Sequence, residues 1–186
     1  MARVKPLKLD DIKDKYRDAF LTFSNAFSDF SNQVPIYAHS PEGMKHIFGM
    51  VQDMSKTSSL PKRLVEIAIV ATSYSNKCSY CIIHHTFVLK GLGLNKSSIA
   101  SLTSNNPKDL NELELLVYNY AVAVTTKAWG IKDKMFAQLQ THFNDGQIVE
   151  LTMRIALTGL FNKINQALQI ELEEPFSSDA IPQQAP

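Results

Sequence analysis

The chain has 186 residues, 45% of them hydrophobic and 20% charged, which is the balance of an ordinary globular protein and not of a disordered or fibrous one. Its length suits one well-packed domain and is short for two. Nineteen basic and eighteen acidic residues leave a net charge of +1, which offers no electrostatic footprint for nucleic acid or an anionic membrane surface and argues against both as partners.

Residues 10–32 carry Tyr16, Phe20, Phe23, Phe27 and Phe30 with helical spacing, an aromatic stripe that predicts core or subunit packing. Pro35 and Pro41 bracket a loop holding Ile36, Tyr37, Ala38 and His39, and Ser40 reads as a cap with Pro41 in first position of a helix to about Met54. A third helix is expected from Pro61 to about Ser73, a turn over Tyr74–Lys77, and a fourth helix from at or near Cys78 to Gly91-Leu92-Gly93. A short helix over 95–103 meets the breaker Asn105-Asn106-Pro107. Asp109 to about Thr126 reads as a buried helix, with Leu113, Leu115, Leu116, Val117, Tyr118 and Ala121 facing inward, and Trp129 as a loop anchor. Ile131–Phe143 is amphipathic. Asn144-Asp145-Gly146 caps a last long helix through Leu168, with Ile148, Leu151, Ile155 and Leu160 inward.

No strand pattern of useful length occurs, so the expected class is all-α, with about seven to eight helices and no sheet. The expected organisation is a single helical domain over residues 1–174, followed by a flexible Pro-, Ser- and Gln-rich tail at 175–186. No apolar run approaches the ~20 residues that span a bilayer, and the charged N-terminus lacks a signal core. The expected location is cytoplasmic.

The chemistry concentrates between residues 61 and 92. Glu66 lies inside an apolar run, Leu64 to Ala71, where a carboxylate needs a reason. Both cysteines of the chain follow at Cys78-Ser79-Tyr80-Cys81, and then His84 and His85. At about 100° per residue, Cys78, Cys81 and His85 fall within roughly 60° on one helix face. Two cysteines three apart cannot build a disulfide framework, and in a reducing compartment such a pair is more often catalytic or metal-binding.

A thiol reacts as its thiolate, so something must take its proton. A helix N-terminus stabilises the anion, and His85, one turn beyond Cys81, can accept the proton. Cys81 is therefore the candidate nucleophile, and Cys78 the thiol that would condense with a sulfenic acid on it. Burial of Glu66 would penalise its charged form and suit it to shuttling protons; pairing with Arg63 is the structural alternative. Zinc fits less well, because ligands packed into eight residues of one helix lack the second arm of structural sites. Covalent haem attachment needs a histidine directly after Cys81, where Ile82 stands. His39, His46 and His142 have surface contexts, although His39 could line a pocket.

The order Glu66, Cys78, Cys81, His85 in an all-helical chain resembles the AhpD-like alkylhydroperoxidases of the carboxymuconolactone decarboxylase superfamily, whose signature is a glutamate, about a dozen residues, then Cys-x-x-Cys-x-x-x-His. Gly91-Leu92-Gly93-Leu94 and the segment Phe161–Leu168 resemble the peroxidase-related branch, and the likeness covers roughly residues 35–173. It implies a peroxidatic Cys81, a resolving Cys78 and a His85–Glu66 proton relay, with no organic or metal cofactor. The implied partners are a small hydroperoxide, a dithiol reductant or redox protein, and further copies of the chain in a trimer or hexamer. The family prototype has a histidine between the cysteines where this chain has Tyr80. Tyr80 could hydrogen-bond in its place, and His84 reads first as a subunit-contact or solvated residue and second as part of the relay. A decarboxylase-like enzyme without redox chemistry and a non-catalytic helical scaffold are the alternatives.

Overall fold

Caps and breakers set the helix boundaries in the computed structural model, which describes residues 2–104 and 107–174. Among these residues there are nine α-helices and no strand: α1 (Asp14–Ala26), α2 (Gln33–Tyr37), α3 (Pro41–Thr57), α4 (Lys62–Ser75), α5 (Ser79–Gly91), α6 (Lys96–Leu102), α7 (Glu112–Lys127), α8 (Asp133–Gln140) and α9 (Asp145–Leu168). The all-α expectation is met. The expected breaker at Asn105-Asn106 and the expected tail at 175–186 lie outside the described residues. No described helix is long and apolar enough to cross a membrane.

Side chains close several helix starts, the predicted one at Asn144 among them. Asn95 accepts from the Ser98 amide at the head of α6. Asn111 and Glu114 satisfy each other's backbone amides at the head of α7, and Asn144 and Gln147 do the same for α9, each pair occupying two donors that the first turn would leave orphaned. Ser40 does precede α3, with Pro41 first, but caps it through its backbone carbonyl and not its hydroxyl. The stretch read as a loop between Pro35 and Pro41 is partly the short helix α2. Pro35 is its third residue, where the missing N–H would have had no intrahelical partner, so proline does not break it.

The chain forms two units. The first comprises residues up to Ser58 together with those from Asn165. In it the aromatic stripe is core: Phe23 and Phe27 of this segment and Tyr37 of α2 surround Phe48 of α3, with ring centroids 5.8, 5.1 and 5.3 Å away. Such aromatic pairs add to the large apolar area they bury.

The second unit runs from Ser59 through Ile164 and contains every residue of the predicted site. Its core is built from Leu64, Ile67, Val70 and Ala71 of α4, Val117, Tyr118 and Ala121 of α7, and Leu139, Leu151 and Ile155 of α8 and α9. Leu115 and Leu160, expected inside, are exposed, because each lies on the opposite side of its helix from those core residues. Trp129 is also a correction: 85% exposed, it anchors no loop and stacks under the Lys127 ammonium, 4.5 Å from its ring centroid.

Candidate active site

The site begins with the way α4 ends. Lys77 has a φ of 58°, a left-handed conformation usually left to glycine. Its N–H donates to the Tyr74 carbonyl at 2.9 Å and the next N–H, that of Cys78, donates to the Ser73 carbonyl at 2.8 Å. This is a Schellman closure of α4, and it makes Cys78 the capping residue of α5. Cys81 then occupies the third position of α5. The two sulfurs stand 2.9 Å apart, hydrogen-bonded to each other, both free thiols and both buried. The head of a helix, with its unsatisfied amides, is a position that favours a thiolate.

One turn on, His85 Nδ1 meets Glu66 Oε2 at 2.7 Å. Glu66 is buried on α4, and Arg63, its alternative partner, instead pairs with Glu114 of α7 at 2.6 Å. Burial of His85 works against the imidazolium, but the charge of Glu66, its hydrogen bond and the Cys81 sulfur outweigh this and raise the histidine above its ordinary value. The four predicted residues are thus brought together: an acid orients a histidine beside the second cysteine and raises its affinity for a proton. The His85 side chain is 21% exposed, so the relay reaches the surface while the sulfurs do not.

The Cys78 thiol is held below its ordinary value. The Cys81 side chain is the largest cause and overcomes the desolvation that pushes the thiol up, with the Cys81 backbone amide and the Asn162 side chain adding to the lowering. Asn162 is fully buried on α9. Its Nδ2 donates to Ser73 Oγ at 3.1 Å, and its Oδ1 accepts from Asn76 Nδ2 at 3.0 Å. These three residues were not singled out as functional in the sequence. The available signal was the one that marks Glu66, a polar residue on a helix face that must be buried. Asn76 also lines an open cavity of about 620 Å³, together with Thr72, Thr125, Leu160 and Lys163.

His84 is neither solvated nor on a surface where a subunit could reach it. It is 2% exposed because α5 is enclosed on most sides, and its ring packs against that of buried Tyr80 with centroids 4.6 Å apart. His39, His46 and His142 are exposed; His39 bonds the Lys5 carbonyl. Among the described residues no group of three or more His, Cys, Asp or Glu side chains is placed to hold a metal ion.

Comparison with known proteins gives the same picture. The model of the carboxymuconolactone decarboxylase family matches residues 41–105, the stretch that holds Glu66, both cysteines and His85. The uncharacterized protein YdfG of Bacillus subtilis is 26% identical over 142 residues, which is 74% of this chain and 95% of that protein. An uncharacterized peroxidase-related protein from Ralstonia eutropha, described as an alkylhydroperoxidase AhpD core, superposes with a TM-score of 0.79 at 21% identity over 93% of each chain. Another peroxidase-related protein, from a Silicibacter species, gives 0.77 at 20% identity over 95% of this chain and 94% of its own. The family match lies on the helices that carry the site, and these solved structures share the fold along nearly the whole length of the chain.

Proposed function

We propose that the protein is an antioxidant two-cysteine peroxidase that reduces alkyl hydroperoxides. The observation that carries this reading is the juxtaposition of two sulfurs 2.9 Å apart with a His85–Glu66 pair closed at 2.7 Å. Cys81 attacks as the thiolate, having passed its proton to the neutral imidazole of His85. An S–O bond forms, the peroxide O–O bond breaks, and the leaving alkoxide takes a proton from His85, giving an alcohol and a sulfenic acid on Cys81. Cys78 then attacks that sulfur as its thiolate. The S–S bond forms, the leaving hydroxide takes up through His85 the proton that Cys78 gave up and departs as water, and a dithiol reductant restores both thiols by exchange. Hydroperoxide and dithiol are thereby converted to alcohol, water and disulfide.

The same reading takes the protein to be cytoplasmic and a homo-oligomer, needing no organic or metal cofactor. Tyr80 and His84, buried one turn apart, are second-rank members of the relay. The test is consumption of an organic hydroperoxide with a dithiol reductant. Wild type should turn over, Cys81→Ser should be inactive, and Cys78→Ser should stop after one equivalent with a sulfenic acid on Cys81. A wild type that consumes no peroxide while both thiols stay reduced would overturn the proposal in favour of a decarboxylase-like enzyme or a scaffold.

A further inference from the structure

The thiol cycle leaves a gap at its second step. The strongest support of the Cys78 anion is the Cys81 side chain, and that thiol is the group consumed when Cys81 is oxidised. Desolvation of Cys78, which is fully buried, remains. The Cys81 backbone amide cannot turn, since α5 fixes it. The remaining adjustable support is Asn162.

We propose that Asn162 is the residue that holds the Cys78 sulfur ready for the disulfide-forming step, with Asn76 as the positioning residue that fixes its amide. This deepens the peroxidase reading and rests on it for the step served. A carboxamide can face a sulfur with either its oxygen, which repels an anion, or its nitrogen, which donates to it, and the network around it decides which. Here the Asn162 oxygen accepts from Asn76 Nδ2 at 3.0 Å, and one hydrogen of its nitrogen goes to Ser73 Oγ at 3.1 Å. Both bonds turn the nitrogen side toward Cys78. Ser73 ties the assembly to the same backbone, since its carbonyl accepts from the Cys78 N–H at 2.8 Å. Asn162 is wholly buried and Ser73 likewise, so water does not compete for the bond between them. The ionisable group facing Cys78 is Cys81, and behind it the His85–Glu66 pair.

The test isolates Cys78 by working in Cys81→Ala, where it is the only cysteine and residue 81 offers no side-chain donor. Its titration is followed by the ¹³Cβ shift of labelled cysteine, which needs no reagent to reach a buried sulfur. Asn162→Asp, equal in shape but unable to donate when ionised, should move the midpoint up by about one pH unit or more, a tenfold loss of thiolate at neutral pH. Asn76→Ala, at a half-buried position, should move it in the same direction by less, because the Asn162 amide is then free to turn. With both cysteines present, Asn162→Asp should prolong the sulfenic acid on Cys81 about tenfold after one equivalent of peroxide. Midpoints that coincide with the parent in folded variants would overturn the inference, and should Asn162→Asp fail to fold, Asn76→Ala decides alone. A wild type without peroxide turnover would defeat the peroxidase reading, while the midpoints would still judge the role of Asn162.

Discussion

Burial alone would lower the proton affinity of His85, and the Glu66 carboxylate 2.7 Å from its Nδ1 raises it above the ordinary value. Glu66→Gln keeps an acceptor in place and removes only the charge, so it should drop the His85 value below that of an ordinary imidazole, desolvation being then unopposed. Titration of the ring protons by NMR measures this directly. The sign for stability follows. In wild type the folded value lies above the ordinary 6.5, so His85 contributes stability that is complete below 6.5 and lost as pH rises through the folded value. Glu66→Gln should lack this contribution and lose stability on acidification instead, so the two unfolding profiles should converge as pH rises. Parallel profiles would show that Glu66 does not charge His85. Glu66, Cys78, Cys81 and His85 were all legible in the sequence because each is chemically out of place or spaced by one helical turn. Asn162 was not, because α9 mixes polar and apolar residues, and which asparagine of it turns toward Cys78 is decided only by how α9 packs against α4.

At the scale of elements, the site depends on a closure that costs stability. Lys77 supplies the left-handed residue between α4 and α5, where a side chain costs roughly 1–2 kcal/mol relative to glycine, offset by the roughly 0.5–1 kcal/mol that glycine loses in unfolded-chain entropy. Lys77→Gly should therefore stabilise the protein by about 0.5 kcal/mol. Lys77→Val, β-branched in the same conformation, should destabilise it by more than 1 kcal/mol, roughly. Urea denaturation of the three proteins checks the order, and a glycine variant less stable than wild type would refute it. The end of α5 shows the same device with the usual residue: Gly93 has a φ of 82°, its N–H donates to Lys90 and that of Leu94 to Leu89. Hence the Gly91–Gly93 stop was readable from the sequence, and the Lys77 stop was placed only as a turn. Helices with side-chain caps, such as α6, α7 and α9, were found to within a few residues. The short α2 was missed because its proline sits where a helix tolerates it.

For the whole molecule, the open question is what covers α9. Val149, Met153 and Leu160 are 57%, 43% and 39% exposed, and with exposed Ala156 they fall within about 60° of one another around the helix. A contiguous apolar helix face of this kind can pair with its own copy about a two-fold or within a ring. If the proposed homo-oligomer forms, this stripe is its expected contact. Sedimentation should find a species heavier than the 20.8 kDa chain. Val149→Glu with Met153→Glu should return it to one chain without loss of helical circular dichroism, because neither side chain supports the core within a protomer. A wild type that sediments as a single chain would leave the stripe without this role. A double variant that stays associated would move the contact elsewhere, with exposed Phe87, Trp129 and Phe136 as the next surfaces to charge.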